Sequence, residues 1–181
     1  GGWGNNVMVP MTESGAGSDA AAIRTAAKRN ADGSFTLNGE KLWITNGGIA
    51  DFYTVFARTD GPEGKVTAFI VEAAWPGVSH GAHEDKMGIR ASCTTTVAFN
   101  DVRVPAENVL GEVGKGFQYA QVRLAPARLT HCMRWLGSAQ RAHDIAVAYA
   151  RERMAFGKPL GAHEGVSFML ADNDLDMHTA R

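Results

Sequence analysis

Residues 15–20 read Gly-Ala-Gly-Ser-Asp-Ala, which matches the GxGxxA spacing of a dinucleotide-binding turn. That motif binds a pyrophosphate where it follows a buried strand and opens a helix of a βαβ unit. Here it follows Pro-Met-Thr-Glu at residues 10–13 and precedes hairpin-type turns, so the context argues against a Rossmann domain. The loop could still bind a phosphate by itself. Its two glycines allow a ligand close to the backbone, and Ser18 together with successive N–H groups can bind an anion. A plain surface turn accounts for the same loop.

Residues 79–85 bring together two imidazoles and two carboxylates, from His80, His83, Glu84 and Asp85. Such a set could ligate a metal ion. The ring spacing in a β-rich loop is not fixed as it is on a helix, so a solvated polar turn is the better interpretation and we predict no metal site.

Single cysteines and tryptophans carry little functional signal here. Cys93 and Cys132 lie far apart without CxxC spacing, so neither a zinc finger nor a disulfide framework is indicated. We expect both to be small core residues. Trp43 and Trp135, judged singly, are more typical of a core than of a cofactor contact.

The first part of the chain, to about Asn108, has short segments between dense turn residues. Asp32-Gly33 and Asn38-Gly39 are hairpin-type turn pairs. They predict strands at residues 34–37 and 41–45, and further β-rich runs cover residues 52–58, 66–72 and 94–99. The alanine-rich residues 20–29 favour helix by propensity, but we expect a short turn and then a strand there. The fold class is therefore α+β, beginning with an antiparallel barrel or sandwich.

After residue 108 the apolar spacing changes to three and four residues, which is typical of one face of an α-helix. Pro126 interrupts this face and predicts a kink or a broken turn. Residues 157–159 (Gly-Lys-Pro) end the first helix, and a second runs from about His163 to the last residue. The apolar side chains of that second helix have no third helix to cover them, and Arg181 follows no stop signal. We expect the natural polypeptide to continue, or a partner chain to cover this face.

The composition and net charge limit the classes of binding partner that we expect. The 181 residues are 45% hydrophobic and 20% charged, with a formal net charge of -1. We therefore expect no overall attraction to nucleic acid or to an anionic membrane, and a small molecule or another protein as partner. No apolar run reaches the roughly 20 residues of a membrane-spanning helix. Residues 1–6 lack the features of a signal peptide, so we expect a cytoplasmic location, or the mitochondrial matrix in a eukaryote.

Three sequence blocks in order and spacing resemble the signatures of the acyl-CoA dehydrogenases. They are MTESGAGSD at residues 11–19, LNGEKLWITNG at residues 37–47 and ERMAFGKPL at residues 152–160. The resemblance extends from about Val9 to Arg181. A weaker likeness, of RLAPAR at residues 123–128 and HCMR at residues 131–134, is to the branch of family members ten and eleven.

The resemblance implies a flavoenzyme that forms a 2,3-double bond in an acyl-CoA, passes electrons to an electron-transferring flavoprotein and is usually a homotetramer. Residues 1–108 would be the middle β-domain, and residues 109–181 the first two helices of the C-terminal helical bundle.

The resemblance also assigns roles to residues. Thr12 and the backbone of residues 9–13 would hold the flavin ring of FAD, residues 43–45 would wall its other side, and the Thr45 hydroxyl would donate to flavin N5. Such a donor stabilises the anionic reduced flavin. Ser18 would lie where FAD phosphate and acyl-CoA meet. The full cofactor set is Val9, Met11, Thr12, Ser18, Trp43, Ile44, Thr45, Arg153 and Phe156, and the substrate set is Ser18 and Arg128.

The chain departs from the family pattern in several places. Ser14 stands where proline is usual, Glu164 where a glutamine commonly helps to hold FAD, and Ala125 where some members place a CoA-contacting aspartate. The family's catalytic glutamate lies either well beyond two helices or, in a minority, one residue before the arginine matched by Arg128. That residue is Ala127, so the resemblance implies no catalytic base within this chain and a base beyond its last residue.

Two alternatives keep a flavin. One is an oxygen-using relative of the same fold, such as an acyl-CoA oxidase, nitroalkane oxidase or monooxygenase. The other is a flavin-binding, DNA-associated protein of the alkylation-response type, which should show an excess of Lys and Arg in its helices.

Overall fold

The computed structural model describes residues 7–181. The expectation about a signal peptide concerns residues 1–6, which lie outside the described part. The chain divides into two compact units, one ending at Gln121 and the other comprising Val122–Arg181.

The first unit is built on β-strands. Their bounds are β1 Val7–Met8, β2 Ala26–Arg29, β3 Phe35–Thr45, β4 Phe52–Thr59, β5 Val66–Glu72, β6 Val78–His80 and β7 Thr94–Val104. Short 3-10 turns occupy Ala20–Ala22 and Ala106–Asn108. The turn followed by a strand that was predicted for residues 20–29 is therefore confirmed.

These strands form a mixed sheet. β5 pairs with one edge of β4, and β1 and β2 pair in succession with its other edge. From β2 the sheet continues through β3 and β7 to β6. The β1–β4 and β2–β4 pairs are parallel and the other four pairs are antiparallel. The α+β class is confirmed, but the strictly antiparallel pairing expected from the short connections is wrong, because β2 and β4 are joined through β3 rather than by a direct hairpin.

The two turn pairs have different fates. Asp32-Gly33 makes the β2–β3 turn, in which the Gly33 N–H donates to the Asn30 carbonyl oxygen at 3.1 Å and Gly33 has φ +86°. Asn38-Gly39 is not a turn but lies inside the single strand β3. A Cβ on Gly39 would lie 2.6 Å from the Thr25 hydroxyl oxygen, so glycine is required there by close packing within the sheet.

Two apolar clusters lie within the described residues of the first unit. The larger one lies under β3, β4, β5 and β7 and includes Phe35, Leu37, Val55, Phe69 and Val97. The smaller one includes Ile23, Phe56 and Ala120, with Val9 and Met11 packed against it. Cys93 is buried as expected.

The helices are α1 Gly116–Glu152, which begins in the first unit, and α2 Glu164–Ala180. Between them lie the short strands β8 Met154–Ala155 and β9 Lys158–Pro159, and a 3-10 turn at Leu160–Ala162. The predicted helical pair is confirmed, but the predicted end of the first helix is wrong, because α1 ends at Glu152 and residues 157–159 belong to the hairpin of β8 and β9. α1 continues through Pro126 without a broken turn, and Cys132 on it is exposed, so the prediction that this cysteine is a core residue is wrong. Within residues 7–181, neither helix has the length and apolar character needed to cross a membrane.

Candidate functional site

The glycine-containing loop forms one side of the site. Glu13 and Ala16 exchange two backbone hydrogen bonds, at 3.0 and 3.1 Å, and both residues are buried. Gly15, Gly17 and Ser18 are exposed. A Cβ on either glycine would meet nothing within 4 Å, so open space lies over this backbone. The loop leads into the Ala20–Ala22 turn rather than into a long helix, as the sequence context indicated.

A β-bulge in β3 forms a second side. Lys41 pairs with Val97 and Ile44 with Thr95, so three steps along β3 match two along β7 and one residue is extra. A bulge of this kind changes the face to which the following side chains point. Trp43 has φ +53° and a side chain 62% exposed, Thr45 is exposed, and Ile44 between them is buried. Any contribution of Ile44 to ligand binding therefore comes from its backbone.

The backbone brings these two sides together. The Leu42 N–H, at the bulge, donates to the Thr12 carbonyl oxygen at 2.9 Å. The side chains of Val9 and Met11 pack against the smaller core cluster, so these two residues present backbone rather than side chain to the site. The structure thus places the Thr12 backbone beside the start of the outward-turned segment Trp43 to Thr45.

A buried ion pair beneath the site was missed by the sequence reasoning. The Lys41 ammonium lies 2.7 Å from Glu13 Oε1, with side-chain exposures of 0% and 8%. Glu13 also accepts hydrogen bonds from the Arg24 N–H at 2.5 Å, the Thr25 N–H at 3.1 Å and the Thr25 hydroxyl at 2.6 Å. Both residues lie inside the quoted blocks, but no spacing rule connects residues 13 and 41.

The electrostatics of this pair follow from its surroundings. Burial by itself would raise the pKa of Glu13, but hydrogen bonds from Lys41, from the Thr25 hydroxyl and from the Arg24 N–H outweigh burial and hold that pKa below its ordinary value. Burial lowers the pKa of Lys41, and the adjacent Glu13 carboxylate opposes that shift. Glu13 is therefore an anion over the whole neutral range.

The second unit holds the other predicted site residues. Arg128 is exposed on α1, and Arg153 is exposed just after the helix ends. Phe156, in the turn between β8 and β9, has φ +50° and is 99% exposed. Its ring stands edge-on to that of His163 with the centroids 6.0 Å apart, and His163 Nε2 lies 3.0 Å from the Ala155 carbonyl oxygen. This small hairpin presents an aromatic ring outward in a backbone conformation that is uncommon for phenylalanine.

The histidine-rich loop has its own local contacts. His80 and His83 are exposed, and His83 Nε2 lies 3.1 Å from Cys93 Sγ. Among the residues described, no cluster of three or more metal-ligating side chains occurs.

Comparison with known proteins establishes the family. Residues 9–102 match the middle domain of acyl-CoA dehydrogenases, and residues 114–181 match the C-terminal domain. The first match covers more than half of the chain. The chain therefore belongs to the acyl-CoA dehydrogenase family, which confirms the resemblance of the three sequence blocks.

Individual relatives are similar over nearly the whole chain. A short-chain specific acyl-CoA dehydrogenase of Megasphaera elsdenii is 49% identical over 173 residues, which are 94% of this chain and 45% of that protein. The structure of butyryl-CoA dehydrogenase from Megasphaera elsdenii superposes with a TM-score of 0.88 at 47% identity, covering 96% of this chain and 46% of the other. The structure of an acyl-CoA dehydrogenase complexed with FAD, from Bacillus anthracis, superposes with a TM-score of 0.85 at 41% identity. This match covers 96% of this chain and 30% of the other. The chain thus spans less than half the length of these relatives.

The ion pair makes stability sensitive to acid. Because the pKa of Glu13 in the folded chain lies below the ordinary value of 4.5, the unfolded chain takes up this proton first as the pH falls. The stabilisation is complete above about pH 4.5 and is lost as the pH falls through the lowered pKa. We expect Glu13→Gln to lose about 3 kcal/mol of stability at pH 7 and then to change less than the parent between pH 5 and pH 3. Urea denaturation across this range measures both effects.

Glu40→Gln is the matched control, since Glu40 is an exposed carboxylate on the same strand. Glu40→Gln should keep the stability of the parent and its sensitivity to acid. The assignment is contradicted if Glu13→Gln also loses stability in acid as steeply as the parent does.

Proposed function

We propose that the protein containing this chain is an FAD-dependent acyl-CoA dehydrogenase. The observation that carries the proposal is the bulge in β3, which turns Trp43 and Thr45 outward beside Thr12. An exposed indole and an exposed hydroxyl next to a half-buried threonine are typical of a site for a flat, polar ring system. Family membership and the similarity to a structure that contains FAD support the same conclusion.

The residues present fit the cofactor. Within residues 7–181, the hydroxyls of Thr12, Ser18 and Thr45 have no hydrogen-bond partner, so all three are free to donate to a ligand. The open space over Gly15 and Gly17 leaves room for a phosphate against the backbone. We assign the flavin ring to Thr12, Trp43, Thr45 and the backbone of Val9, Met11 and Ile44, and the FAD phosphates to the Ser18 loop.

The chemistry assigned to these residues is binding and charge stabilisation. When bound, FAD supplies the two-electron acceptor for the hydride that leaves the β-carbon of the substrate. The Thr45 hydroxyl would donate to the bound flavin, and a fixed donor there would stabilise developing negative charge without reorganising. The exposed Trp43 indole would cover the apolar surface of the bound ring and exclude water from it.

Residues of the second unit complete the proposal. Arg128 would contact the CoA portion of the substrate. The Arg153 guanidinium is suited to a pyrophosphate because its fork of donors matches two phosphate oxygens. Phe156 would pack beside it. We place both against the FAD of a neighbouring subunit, which would couple cofactor binding to a homotetramer.

The substrate that we propose is a short, saturated acyl-CoA thioester, and the electron acceptor an electron-transferring flavoprotein. The similarity to a short-chain specific relative supports the substrate length. The proposed location is the cytoplasm, or the mitochondrial matrix in a eukaryote.

The direct test is spectroscopic. We expect the purified protein to carry FAD and to be yellow, and butyryl-CoA to bleach its flavin absorbance without oxygen. Added electron-transferring flavoprotein should restore the colour with formation of the enoyl-CoA product. A folded protein that takes up no FAD would refute the proposal. Rapid peroxide formation in air, with no transfer to the flavoprotein acceptor, would favour the oxygen-using alternative.

Thr45 has a specific expected effect. Thr45→Ala should slow flavin reduction by an amount equivalent to about 2 to 4 kcal/mol in the barrier, by analogy with the loss of one oxyanion donor. FAD retention should change less, because one hydroxyl is a small part of the cofactor contact. Stopped-flow bleaching measures the rate, and Thr45→Ser, which keeps the hydroxyl, is the control. An unchanged reduction rate together with lost FAD would assign Thr45 to binding only.

The catalytic base is proposed to lie outside residues 1–181. The reaction requires a carboxylate to remove the α-proton, and Ala127 cannot accept one. We expect the 181-residue chain, loaded with FAD, to show no bleaching with butyryl-CoA. Stoichiometric bleaching would show that a base exists within these residues.

A further inference from the structure

Lys41 places a completely buried ammonium group inside the first unit. Its donors go to Glu13 Oε1 at 2.7 Å, to the Phe56 carbonyl oxygen at 2.8 Å and to the Met11 carbonyl oxygen at 3.4 Å. Every proton of the ammonium thus has an acceptor. Because a buried ion pair is often no more stable than well-packed apolar side chains, stability does not by itself explain a charge at this position.

The acceptors of Lys41 flank Thr12 in the sequence. Met11 contributes its carbonyl oxygen and Glu13 its carboxylate. Thr12, between them, accepts the Leu42 N–H through its own carbonyl oxygen at 2.9 Å. Three successive residues of the loop are therefore tied to two successive residues of β3. Apolar side chains of the same volume would fill the space but would make none of the Lys41 bonds.

The strained bulge begins immediately after Lys41. Trp43 has φ +53°, a conformation that an aromatic residue keeps only where its surroundings impose it. Lys41 is the last residue before the bulge, and its ammonium attaches β3 to β4 through the hydrogen bond to the Phe56 carbonyl oxygen. Glu13 in turn is bound to Thr25, so the pair joins four segments of the first unit.

We propose that Glu13 and Lys41 are positioning residues of the cofactor site. The pair holds Thr12 at a fixed spacing from the outward-turned segment Trp43 to Thr45, so that the ring system binds to preformed walls. This inference rests on the proposed function, because the walls are those assigned to FAD. It adds that the affinity for FAD depends on the bonds of the ion pair and not only on the stability of the fold.

Three variants separate positioning from folding. Lys41→Met removes one partner and leaves the Glu13 carboxylate buried without a cation, so it should lower both stability and FAD affinity. The double variant Glu13→Gln/Lys41→Met removes both charges and should regain most of the stability. Val104→Ala, at a fully buried position on β7 paired with Phe35, is the core control that should lower stability without touching the site.

The readouts are the dissociation constant for FAD, urea stability and hydrogen exchange of the Leu42 amide without cofactor. We expect the double variant to bind FAD at least about tenfold more weakly than the parent and to exchange the Leu42 amide faster, in spite of its recovered stability. Val104→Ala should keep the parent's FAD affinity. The inference is overturned if the double variant recovers FAD affinity together with stability, or if Val104→Ala loses as much affinity as Lys41→Met.

Failure of the proposed function gives a different result. In that case the folded parent binds no FAD. Hydrogen exchange of the Leu42 amide still measures whether the Glu13–Lys41 ion pair keeps the Leu42 to Thr12 hydrogen bond in place. Unchanged exchange in the double variant would overturn the positioning role whatever the cofactor result.

Discussion

The buried contact between Lys41 and Glu13 is the constraint on which the site depends. An ammonium with no exposure to water must satisfy its donors inside the protein, and here they reach the glycine-containing loop and β4. The same residue precedes the extra position of β3, so one side chain fixes both the loop and the start of the bulge. The exposed Trp43 and Thr45 are thus held by charge and backbone bonding in the interior, not by packing at the surface.

The two units carry different kinds of exposed side chain. The first unit presents hydroxyls, an indole and the accessible backbone of the glycine-containing loop on a sheet with a buried apolar core. The second supplies an exposed arginine and an exposed phenylalanine on a short hairpin, together with apolar side chains of α1 and α2 such as Leu129, Phe168 and Leu175 that face solvent in this chain.

Local patterns predicted most of the elements because their causes are local. Asp32-Gly33 needed only its own backbone to make a turn. The helix end predicted at residues 157–159 is too late in the chain, because α1 ends at Glu152 and those residues lie in the hairpin of β8 and β9. The turn predicted at Asn38-Gly39 is wrong, because the glycine is required there by close packing against Thr25 and not by a turn. Cys132 was misassigned because a helical period does not reveal which face another element covers.

For the candidate site, the sequence predicted residues only within the three blocks that resemble the family, and it did not predict the contacts that hold those residues. The resemblance of those blocks assigns Thr12, Trp43 and Thr45 to a flavin site, whereas the bulge that turns the last two outward depends on pairing with β7, some 50 residues away along the chain. The Glu13–Lys41 contact is likewise nonlocal, and no periodicity encodes it.

The most direct measurement is a crystal structure of the protein grown with FAD. The account predicts the flavin ring against Thr12, Trp43 and Thr45, with the Glu13–Lys41 contact and the Leu42 to Thr12 hydrogen bond intact beneath it. A flavin ring bound away from these three residues, or bound there with the ion pair broken, would contradict it.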